Sequence, residues 1–107
     1  MLPKKNRLIL SRYANYPKGK KRISTSEFAL IAQSRKGVLK TAIVVSKKIA
    51  KKAIERNRIK RLISESIRKN LDNIKFEGKL AIIVKENIAS LKQAQIEEKI
   101  VKLINKL

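Results

Sequence analysis

Residues 55–68 read ERNRIKRLISESIR, and this stretch combines the apolar period of a helix with an excess of basic side chains. On a helical wheel with about 100° per residue, five side chains share one arc of roughly 140°. They are Ile59, Leu62, Ile63, Ser66 and Ile67. An apolar arc of this width is typical of a helix that packs on a core. The pattern predicts a helix from Arg56 to Leu71 that lies on a sheet.

The opposite arc of the same helix is basic. Within residues 56–68 it has five Lys and Arg side chains, and only Glu65 opposes them. A charged helix face is usually just solvated, but like charges four residues apart, as at Arg56 and Lys60, cost a few tenths of a kcal/mol. The one-sided charge therefore favours a polyanionic partner. Guanidinium groups pair bidentately with phosphate, and the amide of Asn57 suits a base edge or a 2′-hydroxyl.

The composition of the whole chain supports this interpretation. The 107 residues predict one domain, residues 1–107. The 28 Lys and Arg residues outnumber 8 Asp and Glu, which gives a formal charge of +20. Such self-repulsion favours a polyanionic partner. Because 21 of the basic residues lie in the first 69 positions, the polyanion-binding surface is predicted on the first two thirds of the chain.

Several functional classes are disfavoured by what the sequence lacks. The chain has no Cys and no His, so it has no disulfides and lacks the commonest general base and metal ligand. Asp72 is the only Asp, and the seven Glu residues form no evident cluster, which disfavours a free-standing nuclease. No apolar run approaches the roughly 18 residues of a membrane span, and MLPKKNRL is not followed by a secretory apolar block. A cytoplasmic protein is predicted.

The N-terminal half contains signs of a short helix and two strands. Residues 8–16 are predicted to form a helix that Pro17 ends, followed by a basic turn, PKGKKR, in which Lys18 to Arg22 contact either phosphate or only water. Residues 28–32 and 39–45 are predicted strands. Since the turn SRKG separates them, they are expected to form an antiparallel pair.

The C-terminal third is predicted to be mainly scaffold. Residues 80–84, LAIIV, indicate a strand that is covered on both faces. Ser90 is predicted to cap a last helix that extends to Leu107. Its expected buried stripe comprises Leu91, Ile96, Ile100, Leu103, Ile104 and Leu107. Phe28 and Phe76 are expected in the core because strand-forming apolar residues follow each closely.

The run VVSKKIAKKAIERNRIKRLISESIR, residues 44–68, resembles the signature of the bacterial ribonuclease P protein component, whose hallmark is an Arg-Asn-Arg helix followed by basic residues. KKNRL near the start, Tyr16 with Gly19, and the late KLAIIVKE fit the family in the same order. The resemblance implies an α/β sandwich, in which about three helices pack on a small, mostly antiparallel sheet. It also implies a left-handed β-α-β crossover around the Arg-Asn-Arg helix, against the general right-handed rule.

The resemblance further implies an activity and partners. In this family the RNA subunit removes the 5′ leader from precursor tRNA with bound Mg²⁺. The protein binds the catalytic RNA and the leader and supplies no catalytic or metal-binding residues. No membrane and no obligate protein partner are expected. From composition alone, a small basic ribosomal or other structural RNA-binding protein and a membrane-surface amphipathic protein remain alternatives.

The family's functional residues map onto this chain position by position. The implied RNA-binding residues are Lys47, Lys48, Lys52, Arg56, Asn57, Arg58, Lys60, Arg61 and Arg68, the last in place of the base that is common at the position of Ser64. The implied leader cleft comprises Tyr13, Tyr16 and Ile31. Tyr13 lies one residue closer to Leu8 than usual, so it is either a cleft or a core residue. Ile31 stands where an aromatic side chain is common.

Overall fold

A four-stranded mixed sheet forms the centre of the computed structural model, which describes Asn6 and residues 21–107. The strands are β1 (Lys21–Ser24), β2 (Phe28–Ser34), β3 (Lys40–Val44) and β4 (Gly78–Val84), and their order in the sheet is β1-β2-β4-β3. β2 pairs antiparallel with β1 and β4, whereas β3 pairs parallel with β4. The prediction of a mostly antiparallel sheet is confirmed.

Two α-helices lie in the described residues: α1 (Ala53–Lys69) and α2 (Gln93–Ile104), with a short 3₁₀ turn at Leu71–Asn73. α1 begins three residues before the predicted start, because the carbonyl of Lys52 already accepts the N–H groups of Glu55 and Arg56. It joins the parallel neighbours β3 and β4, so the β-α-β unit is confirmed. The predicted helix at residues 8–16 lies outside the described residues, and the crossover's hand stays a prediction.

The predicted antiparallel pairing of residues 28–32 with residues 39–45, which correspond to β2 and β3, is wrong. β4 lies between β2 and β3, so the loop of residues 35–39 crosses the start of β4 instead of forming a hairpin. The Arg35 N–H donates to Glu77 O at 3.1 Å, which continues the β2–β4 pairing into this loop. The physical reason lies in the apolar content of β4, since a strand buried on both faces gains most from a central position.

The main core lies between one face of the sheet and the two helices. Strand residues such as Leu30, Leu80 and Ile82 share one apolar cluster with the stripes of α1 and α2. The buried stripe residues are Ile59, Ile63, Ser66 and Ile67 of α1, and Ile96, Ile100, Leu103 and Ile104 of α2. Leu62, Leu91 and Leu107 are partly buried against this cluster, and Phe28 and Phe76 are buried in it. Both predicted stripes are therefore confirmed.

Polar groups fix the contact between the two helices. Gln93 Nε2 donates to Leu62 O at 2.8 Å and to Ser66 Oγ at 2.7 Å. Ser66 is fully buried, and its hydroxyl donates to Leu62 O at 2.8 Å. Because a buried polar group without a partner costs about 1–3 kcal/mol, these bonds specify how α2 lies on α1.

The predicted cap of the last helix is wrong. Ser90 is exposed and lies in a turn in which the Leu91 N–H donates to Ile88 O at 3.0 Å. α2 begins at Gln93, and the side-chain Oε1 of Gln95 accepts the N–H of Lys92 at 3.0 Å. The first turn is thus stabilised from inside the helix.

Gly78 is required where β4 begins. It has φ +131°, and a Cβ atom there would lie 2.2 Å from Gln33 O and 2.7 Å from Arg35 N. No other residue avoids both the backbone clash and the strained φ, so glycine permits the close approach of β2 and β4.

Candidate nucleic-acid interface

A tight turn between β3 and α1 positions the first group of basic side chains. The Ser46 carbonyl accepts the N–H groups of Ile49 at 3.1 Å and Ala50 at 3.2 Å. Ile49 packs against the core, whereas Lys47 and Lys48 are exposed. The turn therefore directs two ammonium groups into solvent beside the start of α1.

Arg56 ties this turn to the helix. Its Nη1 donates to Ala50 O at 3.0 Å and to Lys51 O at 2.8 Å, and the side chain is half-buried. The guanidinium thus satisfies two carbonyls of the connection that precedes α1. Arg56 therefore holds the turn in place, and the RNA contact that the family resemblance implies for it stays a prediction.

The other members of the Arg-Asn-Arg motif face outward. Asn57 and Arg58 are exposed, and Arg58 Nε donates to Ala89 O at 2.9 Å. Within residues 6 and 21–107, this guanidinium forms no ion pair with a carboxylate. Arg58 is therefore positioned by the β4–α2 loop rather than neutralised.

A continuous set of exposed groups follows from these placements, and we call it the α1 basic surface. It comprises Lys47, Lys48, Lys51, Lys52, Asn57, Arg58, Lys60 and Arg61. Within residues 6 and 21–107, none of its seven cations forms an ion pair with a carboxylate. Lys51 belongs to this surface although the motif did not single it out. Its position beside Lys52 in the sequence was the available sign.

The face of the sheet opposite the helices carries a second set of residues. Register places Arg22 beside Ile31, Ile31 beside Ala81, and Ala81 beside Ala42 in one row across four strands. Ile31 is 6% exposed, so it presents little surface of its own. Tyr13 and Tyr16 lie outside the described residues.

Sequence reasoning missed two basic residues on this face, Lys40 and Lys79, and it placed a third, Arg22, in a turn whose residues contact either phosphate or only water. Arg22, Lys40 and Lys79 share the face of Ile31, since residues paired in register and residues two apart in a strand point the same way. Lys21 and Arg22 lie in β1 and not in a basic turn, while Lys18–Lys20 lie outside the described residues. The alternation was visible in the sequence, but only the correct strand order brings these positions together.

Comparison with known proteins identifies the family. A family model described as Ribonuclease P matches residues 2–107. The chain belongs to the ribonuclease P protein family. This membership assigns it the role of a protein component of ribonuclease P, in tRNA processing, and it excludes the ribosomal class that composition left open.

Individual ribonuclease P proteins agree with the family model. The ribonuclease P protein component of Desulfosudis oleivorans is 33% identical over 106 residues, covering 96% of this chain and 87% of the relative. That of Clostridium kluyveri is 36% identical over 84 residues, covering 78% and 74%. The RNase P protein from Thermotoga maritima has the same fold, with a TM-score of 0.73 and 22% identity, over 81% of this chain and 83% of that chain.

In this ribonuclease P protein, Arg68 differs from the cations of the α1 basic surface because it forms an ion pair with a carboxylate. Its Nη2 lies 2.7 Å from Glu65 Oε2, and its Nε donates to both carboxylate oxygens at 3.1 and 3.2 Å. Hydrogen bonding to this guanidinium is the largest of the effects that lower the pKa of Glu65 to about 2. Because a phosphate must compete with this carboxylate, Arg68 is less available to RNA than the cations of the α1 basic surface, and its role stays a prediction.

The described part of the chain lacks two other kinds of site. No group of three or more Asp, Glu, His or Cys residues in positions 6 and 21–107 lies close enough to hold a metal ion. Neither α1 nor α2 is long and apolar enough to span a membrane.

Proposed function

We propose that this ribonuclease P protein binds the ribonuclease P RNA through the α1 basic surface, while the RNA cleaves precursor tRNA. One observation carries the proposal: seven cations lie together on a turn and a helix, and none has a carboxylate partner in the described residues. Seven cations so close together repel one another, and a polyanionic partner relieves this repulsion. Phosphate is the ligand that satisfies them all.

The side chains of this surface suit different parts of an RNA strand. The Arg61 guanidinium offers a fork of donors that pairs bidentately with a phosphate. The ammonium groups of Lys47, Lys48 and Lys60 act as point charges that neutralise phosphates without strict geometry. The amide of Asn57 both donates and accepts, so it can bind a base edge or a 2′-hydroxyl.

The chemistry of cleavage is assigned to the RNA. Mg²⁺, bound mainly by the RNA, would activate water and stabilise the charge that develops on the phosphate. The chain has no His and no Cys, and no three carboxylates of the described residues lie close enough to hold a metal ion, which supports a protein that binds without catalysing. By neutralising phosphates, its cations lower the Mg²⁺ concentration that the complex needs.

The 5′ leader of precursor tRNA is assigned to the sheet face opposite the helices. Arg22, Lys40 and Lys79 give that face a positive rim, and the partly exposed row of Ala29, Ile83 and Val44, on the same face as Ile31, gives it an apolar floor. A single strand needs both, since its backbone is charged and its bases are flat and apolar. Tyr13 and Tyr16 remain predicted stacking residues of this cleft.

Reconstitution tests this function. The chain should restore cleavage of precursor tRNA by ribonuclease P RNA at low Mg²⁺, and the chain alone should cleave nothing. The double variant Lys60→Ala with Arg61→Ala should require more Mg²⁺. The double variant Lys102→Ala with Lys106→Ala removes the same charge from α2 and the turn that follows it, and it is the matched control. Cleavage by the protein alone, or equal effects of the two double variants, would contradict the proposal.

A further inference from the structure

An exposed isoleucine interrupts the α1 basic surface. Ile54 lies in the first turn of α1 and is 76% exposed. Among residues 6 and 21–107, the other large hydrophobic side chain with high exposure is Val38, at 48%. A single exposed apolar side chain is ordinary on a protein surface, so a function for Ile54 can be inferred only from the residues that surround it.

The surroundings form a shallow groove. Ile54, Glu55, Arg58 and Arg61 line a space of about 350 Å³ on the outer face of the helix. Spacings of four and three residues place Ile54, Arg58 and Arg61 along one ridge. The groove thus joins an apolar end to two guanidinium groups.

The polar side of this groove is held in place by the β4–α2 loop. Ala89 O accepts from Arg58 Nε at 2.9 Å, and the Ala89 N–H donates to Asn87 Oδ1 at 3.1 Å. Asn87 Nδ2 in turn donates to Glu55 Oε2 at 3.4 Å. Arg58 and Glu55 are therefore positioned before any ligand arrives, whereas Ile54 and Arg61 have no such partner in the described residues.

We propose that this groove binds one unstacked nucleotide of the ribonuclease P RNA, an inference that rests on the proposed function. The base or ribose lies on Ile54, and the adjoining phosphate lies on Arg58 and Arg61. A regular duplex presents phosphates but buries the faces of its bases, so the apolar end selects an unstacked nucleotide. Glu55 repels phosphate and accepts a hydrogen bond from a 2′-hydroxyl or a base amino group, which fixes the nucleotide's direction.

The affinity of the full chain for ribonuclease P RNA, measured over a range of salt concentrations, tests this groove. Ile54→Ser should weaken binding about five- to tenfold, as expected for the loss of part of a buried isoleucine contact. The dependence on salt should not change, since no phosphate contact is lost. Ile54→Phe should bind at least as well as the wild type, because a ring stacks on a base. Val38→Ser is the control and should bind normally.

The outcomes separate this inference from the function on which it rests. If the wild-type chain fails to bind the RNA, the proposed function fails. If the wild type binds and Ile54→Ser binds equally well, the nucleotide groove is wrong and the function stands. Equal weakening of Ile54→Ser and Val38→Ser, or weakening by Ile54→Phe as large as by Ile54→Ser, would also overturn the groove. Melting temperatures of all variants should match that of the wild type.

Discussion

At the scale of single residues, the arginines of α1 have different roles although their sequence context is nearly the same. Arg56 donates to two carbonyls of the preceding turn, whereas Arg61 has no partner in the described residues. Arg56→Ala should lower the free energy of unfolding by about 1–2 kcal/mol, because charge-assisted bonds are lost from a half-buried site. Arg61→Ala should leave stability nearly unchanged and weaken RNA binding by about 1–3 kcal/mol.

Thermal unfolding and RNA binding, measured on both variants, distinguish these roles. Arg56→Lys keeps the charge, but its side chain is shorter and does not place a nitrogen at the position of Nη1, which donates to both Ala50 O and Lys51 O, so it should recover only part of the stability. If Arg61→Ala is the destabilised variant and Arg56→Ala is not, the assignment of the two side chains is wrong.

A second residue-scale prediction concerns the pKa of Glu65. This pKa is about 2, below the ordinary value of 4.5, and hydrogen bonding to the Arg68 guanidinium is the largest cause. Since the folded-state pKa is depressed, the pair stabilises the fold above about pH 4.5, and this contribution is lost as pH falls toward 2. An NMR titration of the Glu65 carboxyl group measures it. In Arg68→Ala the pKa should rise toward 4.5, and an unchanged value would show that Arg68 is not its cause.

At the scale of elements, the orientation of α1 decides which side chains reach RNA. Ile63 is fully buried, so Ile63→Asp should bury an unpaired carboxylate and cost several kcal/mol, enough to unfold a domain with a stability of about 5–15 kcal/mol. Ser64→Asp makes the same charge change one residue later at a half-exposed position and should stay folded. Circular dichroism measures whether each variant is folded. A folded Ile63→Asp would mean that the face of α1 that contains Ile63 does not pack on the core.

The elements also show where sequence reasoning succeeds and where it stops. The stripes of α1 and α2 were predictable because helical periodicity is local, and each residue's face follows from its neighbours three and four positions away. The position of β4 in the strand order was not predictable from periodicity, because strand order depends on contacts between residues far apart in sequence. The continuous apolar run at residues 80–84 was the available sign of a central strand. The start of α2 was missed because Gln95, and not Ser90, supplies the N-terminal hydrogen bond.

At the scale of the whole molecule, site residues that lie close together in the sequence were predictable, whereas those that come from separate strands were not. The α1 basic surface is contiguous in sequence, from Lys47 to Arg61, so a motif reveals it. The opposite sheet face draws Arg22, Lys40 and Lys79 from three strands, and only the order β1-β2-β4-β3 places them together. Because α1 and α2 both pack on one face of the sheet, the two proposed RNA surfaces lie apart, one on α1 and one on the opposite sheet face.

The net charge of +20 makes the salt dependence of binding a property of the whole molecule. If the cations of the α1 basic surface each neutralise a phosphate, log K should fall with log salt by roughly 0.7–0.9 per contact. Arg61→Ala should reduce the slope by about one unit. Lys102→Ala, which removes the same charge from α2, should leave it nearly unchanged, since charge outside the contact releases no counterions. A slope that depends only on total charge, equal in the two variants, would mean that the protein binds RNA as a diffuse polycation and that α1 has no special role.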